Sequence, residues 1–104
     1  MNWRNKETER LLEAILALET AEETRRFLRD LMTEGEIIEF GRRLKAAELL
    51  ASKVPYSRIT KETGLSSTTV ARISKWLNDG MGGYQLMIDR LHHHNSPPVG
   101  KGSN

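Results

Sequence analysis

The chain has 104 residues, enough for one small domain that leaves much apolar surface uncovered when it folds alone. It contains no cysteine, which excludes disulfide frameworks, thiolate metal sites and cysteine nucleophiles. The net charge of +2 is too small to indicate nucleic acid by itself, and no stretch resembles a signal peptide or approaches the about 20 apolar residues of a membrane span, so we expect a soluble cytoplasmic protein.

Two amphipathic helices are predicted after an N-terminal extension of residues 1–7. The first is expected at about residues 8–19, where apolar residues recur at helical spacing. Thr20 and Glu23 have the spacing of a capping box, which predicts that the second helix begins at Ala21. The inward positions of the two helices are Leu11, Leu12, Ile15, Leu16, Phe27, Leu28, Leu31 and Met32.

A third helix is predicted from a second capping box, Thr33 with Glu36, to about residue 52. Its apolar positions are Ile37, Ile38, Phe40, Leu44, Ala47 and Leu50. They cover a wider arc than the about 100° of an ordinary surface helix, so more than the two preceding helices must enclose them. A second copy of the chain would supply that cover, and we therefore expect a homodimer.

The stretch 55–78 predicts a helix-turn-helix. Its first helix has Ile59 on the inner side and ends at Gly64, because glycine readily takes the left-handed conformation that stops a helix. Ser66 is a good N-cap for the second helix. The inward positions of that helix, at spacings of three and four, are Val70, Ile73 and Leu77.

The other face of the second helix is small, hydroxylated or basic, which suits a helix in a DNA groove. Residues 41–78 hold eight Lys/Arg against two Asp/Glu, whereas residues 1–40 hold six against ten, so the motif lies in the basic half. We expect double-stranded DNA as the partner. The predicted base contacts are Ser67, Thr68 and Ala71, and the predicted phosphate contacts are Arg58, Lys61, Thr69, Arg72 and Lys75.

A last helix is predicted at about residues 84–91, after the Gly-rich corner at residues 80–83. Residues 92–104 are polar and rich in Pro and Gly, which predicts a disordered tail. The three consecutive His of this tail lack the i, i+4 spacing of a helical metal site, so we expect no metal and no cofactor.

Four runs carry a resemblance to a known family: EAILAL (13–18), GEIIEFGRRLKAAELL (35–50), ITKETGLSSTTVARI (59–73) and LNDGMGGYQLMIDRL (77–91). Over residues 8–91 the chain resembles the YerC/YecD group of Trp-repressor-like proteins. The resemblance implies an all-α domain of about six helices containing a helix-turn-helix. It also implies a DNA-binding regulator, acting as a repressor, that forms a homodimer interlocked through its N-terminal helices.

The Trp repressor holds L-tryptophan between its third helix and its recognition helix. The resemblance implies that Thr33, Arg43 and Arg72 stand at the corresponding ligand positions, as a candidate effector pocket. Ile73, however, stands where that repressor has a glycine beside the indole ring, and a branched side chain there fills space that the ring needs. We therefore predict that the chain does not use tryptophan as a corepressor.

Three other functions remain open at this point. An enzyme needs a converging acid, base or nucleophile, whereas the hydroxyls and carboxylates here fall on helix caps and exposed faces, so we expect no catalysis. Nonspecific or architectural DNA binding uses the same basic face and differs in the ratio of affinities for a preferred site and random DNA. A protein-interaction module needs large apolar anchors on the exposed helix, for which Trp76 is the single candidate.

Overall fold

The computed structural model describes the backbone of residues 1–95 and the side chains of residues 1–93. Over these residues the chain forms six α-helices and no β-strand, so the predicted all-α class is confirmed. The helices are α1 (Lys6–Ala17), α2 (Ala21–Leu31), α3 (Glu34–Ala51), α4 (Tyr56–Thr63), α5 (Ser67–Asp79) and α6 (Gly83–Asn95). Among the described helices, none has both the length and the apolar character needed to cross a membrane.

Side-chain caps set the starts of α2 and α3. The Glu36 N–H donates to Thr33 Oγ1 at 3.1 Å and the Thr33 N–H donates to Glu36 Oε1 at 2.8 Å, so this capping box is confirmed. Before α2, the Glu23 N–H donates to Thr20 Oγ1 at 3.0 Å, as predicted, but the Glu23 carboxylate accepts from the Glu19 N–H rather than from that of Thr20. Both helices therefore begin where local hydrogen bonding satisfies their free N–H groups.

The predicted bounds of α1 are wrong by two residues at each end. The Asn5 side chain accepts hydrogen bonds from the N–H groups of Glu7 and Thr8, so the helix begins at Lys6 and not at residue 8. Leu18 has an extended backbone with ψ of 135°, which ends the helix at Ala17. Asparagine is a strong N-cap, and this signal extends α1 into the predicted N-terminal extension.

Residues Met1–Ile37 form one compact unit, and the described residues from Ile38 onward belong to a second. No side chain of the first unit is buried, although α1 and α2 carry the predicted apolar positions. Leu16 is 84% exposed and Leu31 is 51% exposed. The apolar faces of α1 and α2 are therefore in place but largely uncovered.

The second unit holds the buried core, in which α4 packs on α5 and α5 packs on α6. The cluster consists of Ala46, Ala47, Ile59, Leu65, Val70, Ile73 and Ile88. The predicted inward positions of the helix-turn-helix are thus confirmed for Ile59, Val70 and Ile73. At the start of α3, by contrast, Ile38 and Phe40 are each 48% exposed.

Helix α3 ends in a Schellman motif at Lys53. The Val54 N–H donates to the Leu49 carbonyl at 3.0 Å, and the Lys53 N–H donates to the Leu50 carbonyl at 3.0 Å. Lys53 has a φ of 65°, in the left-handed region that usually belongs to glycine. A side chain there costs about 1–2 kcal/mol, so the packing of the connection between α3 and α4 overrides the local preference of this residue.

The corner between α5 and α6 depends on Gly80. A Cβ atom at this position would run into the carbonyl oxygen of Trp76, so the close approach of the backbone requires glycine.

Helix α6 begins at Gly83 and continues to Asn95, four residues beyond the predicted end, so the predicted start of the disordered tail at His92 is wrong. The rest of that tail, residues 96–104, lies outside the described residues.

Candidate nucleic-acid interface

The turn between α4 and α5 is fixed by backbone conformation and side-chain hydrogen bonds. Gly64 has a φ of 76°, and a Cβ there would meet open space. Glycine is therefore required by the backbone conformation and not by a lack of space. Thr63 Oγ1 donates to the Ile59 carbonyl at 2.7 Å and accepts from the Leu65 N–H at 3.2 Å. Ser66 Oγ accepts from the Thr69 N–H at 3.1 Å, which confirms the predicted N-cap. The angle between α4 and α5 is therefore closely determined.

The inner side of α5 belongs to the core. Val70 is fully buried, Ile73 is 3% exposed and Leu77 is half-buried. On α4, Thr60 is half-buried and its hydroxyl donates to the Ser57 carbonyl at 3.0 Å, so a polar residue is accommodated between the helices. Because these residues fix which side of α5 is buried, they also fix which side faces solvent.

The outer side of α5 carries the three predicted base contacts. Ser67, Thr68 and Ala71 are all exposed. Within the described residues, neither the Ser67 nor the Thr68 hydroxyl is engaged in a hydrogen bond, so both are available to a ligand. The small size of all three side chains allows the α5 backbone to come close to another surface.

The basic side chains of the motif differ in their pairing. Within the described residues Lys61, Arg72 and Lys75 are exposed and form no ion pair. Arg58 is engaged, because its Nε lies 2.6 Å from Glu62 Oε2, one turn along α4. Three of the four predicted cationic contacts are therefore unpaired, and the fourth is shared with a carboxylate.

The pairing of Arg58 with Glu62 was not predicted, although the i, i+4 spacing of opposite charges is a sequence signal for it. Thr69, a further predicted phosphate contact, is half-buried, and its Oγ1 accepts from Ser66 Oγ at 3.0 Å. The Thr69 hydroxyl keeps its own O–H as a donor. Its N–H, in contrast, is used by the N-cap.

The three residues of the candidate effector pocket each have a local role. Thr33 caps α3, and its unit is the first one. Arg43 has its Nε 3.4 Å from Glu39 Oε2, and its guanidinium carbon lies 5.3 Å from the centre of the Phe40 ring. Arg72 is exposed on α5. A pocket formed by these residues stays a prediction.

Comparisons with known proteins show the family of this chain and its fold. The family model of the Trp repressor protein matches residues 6–92. The protein YerC of Bacillus subtilis (strain 168) is 39% identical over 88 residues, which cover 85% of this chain and 85% of YerC.

Two solved structures share the fold. A TrpR-like protein from Eubacterium eligens ATCC 27750 superposes with a TM-score of 0.82 at 32% identity, over 86% of this chain and 93% of that one. A structure from Staphylococcus aureus superposes with a TM-score of 0.81 at 33% identity, over 88% of this chain and 95% of that one. The resemblance identified from the sequence is thus confirmed, and the chain belongs to the Trp repressor family, in its YerC-like branch.

Proposed function

We propose that this protein is a sequence-specific DNA-binding transcriptional regulator of the cytoplasm, acting as a repressor, and that α5 is its recognition helix. The observation that carries the proposal is the outer face of α5. This face carries small exposed side chains and unpaired cations. The opposite face of the helix is buried in the core. A groove-binding helix needs this combination of close approach, positive charge and fixed orientation.

The charges of the motif favour a polyanionic partner. Between Thr63 and Leu77 the sequence holds Arg72 and Lys75 and no acidic residue. Each phosphate that such a side chain neutralises releases condensed counterions, which supplies much of the affinity for DNA. Lys61, on α4, adds a further unpaired cation to the same motif. Attraction of phosphates is thus concentrated on the motif rather than spread over the chain.

The small side chains favour reading of bases. Ser67 and Thr68 lie in the first turn of α5, and Ala71 lies one turn further. In a helix-turn-helix the N-terminal residues of the recognition helix contact base edges in the major groove. Hydroxyls bond to several bases, whereas a methyl group such as that of Ala71 can contact thymine. Sequence preference therefore depends on these three positions.

Uncovered apolar surface favours a homodimer. In the first unit Leu12 is 40% and Ile15 is 45% exposed, beside Leu16 on the same stripe of α1. The second unit has an open groove of about 420 Å³ whose lining includes Leu44, Trp76 and Met87. A monomer that exposes apolar patches on both of its units gains from association, and a dimer interlocked through the N-terminal helices would cover them.

Burial of Ile73 favours DNA binding without tryptophan. Ile73 shares one cluster with Ala46 and Ala47 of α3, and both alanines are fully buried. An aromatic ring inserted beside Ile73 would have to displace this packing, which typically costs about 1–3 kcal/mol or more. The helices around Ile73 are already packed, so no tryptophan is needed between them to orient α5.

The first prediction separates the two kinds of DNA contact. Lys75→Ala and Lys61→Ala should weaken binding to all DNA sequences alike. They should also lower the salt slope, which is the steepness with which the logarithm of the DNA-binding constant falls with the logarithm of the salt concentration, by about 0.9 for each phosphate that the protein no longer neutralises. Thr68→Ala should instead change the preferred sequence. Fluorescence anisotropy over a series of salt concentrations measures both effects, with Arg25→Ala in α2 as the matched control. Equal binding by all variants would show that another surface contacts the DNA.

Glu62 provides a sharper control for Arg58 in the same assay. If Arg58 contacts phosphate, Glu62→Gln should release it from the ion pair and raise the salt slope by about 0.9. The same substitution in an Arg58→Ala background should leave the slope unchanged. An equal rise in both backgrounds would mean that Glu62 acts only by repelling phosphate.

A second prediction concerns assembly. Light scattering coupled to gel filtration should give twice the chain mass of 11.9 kDa at micromolar concentration. Leu16→Glu should shift the protein towards monomer, because it places a charge on the exposed apolar stripe of α1. Arg10→Glu, on the opposite face of α1, should leave the mass unchanged. A monomer mass for the unmodified protein would refute the dimer.

A third prediction concerns tryptophan. Calorimetry should show no micromolar binding of L-tryptophan, because displacing the packing at Ile73 lowers affinity by about 5- to 150-fold. DNA affinity should be the same with and without the amino acid. Ile73→Gly, with Ile73→Ala as the milder cavity variant, should gain affinity if volume is the obstacle. Micromolar binding by the unmodified protein would contradict this account.

A further inference from the structure

A second cavity, of about 370 Å³, lies in the second unit. It is bounded by the C-terminal end of α3, the connection to α4, the C-terminal half of α5 and the start of α6. Its volume is in the range of small-molecule sites. None of the predicted DNA contacts and none of the predicted effector residues lines it.

The polar groups of this cavity include three donors. Lys53, Tyr56 and Ser74 all line it. Within the described residues the Lys53 ammonium, the Tyr56 phenol and the Ser74 hydroxyl have no hydrogen-bond or ion-pair partner. One cation and two hydroxyls among the lining residues form a set of donors that suits a small oxyanion.

The remaining lining residues are apolar or carry a side-chain amide that already donates one hydrogen bond. Leu50, Val54 and Leu77 supply aliphatic surface. The Asn78 amide donates to the Ser74 carbonyl at 2.9 Å, and the Gln85 amide donates to Asp89 Oδ1 at 3.1 Å. The cavity therefore offers a cationic donor group beside a short aliphatic surface, and it contributes no carboxylate of its own that would repel an anion.

The backbone conformation of Lys53 also favours a ligand in this cavity. Its positive φ is strained for any residue with a side chain, and glycine would take it without that strain. Residues held in such conformations are concentrated at ligand-binding and switch sites. The presence of an unpaired lysine where glycine would avoid the strain is explained if the lysine side chain binds a ligand.

We propose that this cavity binds a small aliphatic carboxylic acid. Lys53, Tyr56 and Ser74 hold the carboxylate, and Leu50, Val54 and Leu77 contact the aliphatic chain. Inorganic phosphate shares the oxyanion chemistry but lacks the aliphatic body, so it binds less tightly to a site that uses both.

The position of the cavity couples this ligand to α5. Lys53 follows α3, whereas Ser74 and Leu77 belong to α5, so a bound acid bridges the two elements. A bridge of this kind restricts the motion of the recognition helix and reduces the ordering that DNA binding requires. This step rests on the proposed function, and we expect the acid to raise DNA affinity at least fivefold.

The test is a titration of the full ¹⁵N-labelled chain followed by amide chemical shifts, with pentanoate, pentanol and inorganic phosphate as probes. Pentanoate should shift the amides of Lys53, Ser74 and Asn78 saturably, and pentanol and phosphate should bind at least tenfold more weakly. Lys53→Met, which keeps the length of the side chain, should lower pentanoate affinity at least tenfold. Lys45→Met, an exposed lysine of α3 outside the cavity, should bind like the unmodified protein.

Lys53→Gly separates folding from binding. It should raise the melting temperature, because it removes the strain, and it should still lose pentanoate affinity. No saturable shift, equal binding of pentanol or of phosphate, or unchanged affinity in Lys53→Met would each overturn the proposal.

The titration needs no DNA, so it can succeed where the proposed function fails. Pentanoate binding by a protein that binds no DNA would refute the DNA-binding proposal alone. Pentanoate binding that leaves DNA affinity unchanged would overturn the coupling to α5. The acid should raise DNA affinity in the unmodified protein and in Lys45→Met, but not in Lys53→Met.

Discussion

Packing of the inner side of α5 into the core is the constraint on which the rest of this structure depends. Val70 and Ile73 share a cluster with Ala46 and Ala47 of α3 and with Ile59 of α4. Once these side chains are buried, the small and basic face of α5 must point to solvent. The same packing fills the space beside Ile73, so the core that orients the proposed recognition helix also argues against an aromatic corepressor there.

This core is small, and much of the chain's apolar surface lies outside it. Ile59 and Val70 are the largest fully buried side chains among the described residues, and the other fully buried members of the cluster are alanines. Burial of a side chain of that size contributes about 1.5–3 kcal/mol. Burial within a single chain therefore exceeds the cost in conformational entropy by only a small margin. Association of two chains would add apolar burial from α1, α2 and the start of α3. The proposed homodimer would therefore link assembly to folding.

Local signals allowed much of the fold to be predicted from the sequence. The Thr33–Glu36 box and the Ser66 cap depend on hydrogen bonds within a few residues, and Gly64 stops α4 through its own backbone. Features that depend on tertiary packing could not be predicted from local sequence. No local signal shows that Lys53 takes a left-handed conformation, because the packing of the connection imposes it. Nor do the polar residues at the end of α6 show that the helix continues to Asn95. The Arg58–Glu62 pair, in contrast, is readable from the i, i+4 spacing of its opposite charges.

Selection of DNA from a random pool by the full chain tests the central claim most directly. The account predicts enrichment of a two-fold symmetric site, with half-sites about one helical turn, roughly 34 Å, apart, in the absence of any added amino acid. It also predicts that Thr68→Ala enriches a different half-site, whereas Lys75→Ala enriches the same one with lower affinity. Failure to enrich any sequence, or enrichment of one site by all three proteins with equal affinity, would contradict the assignment of α5 as a recognition helix.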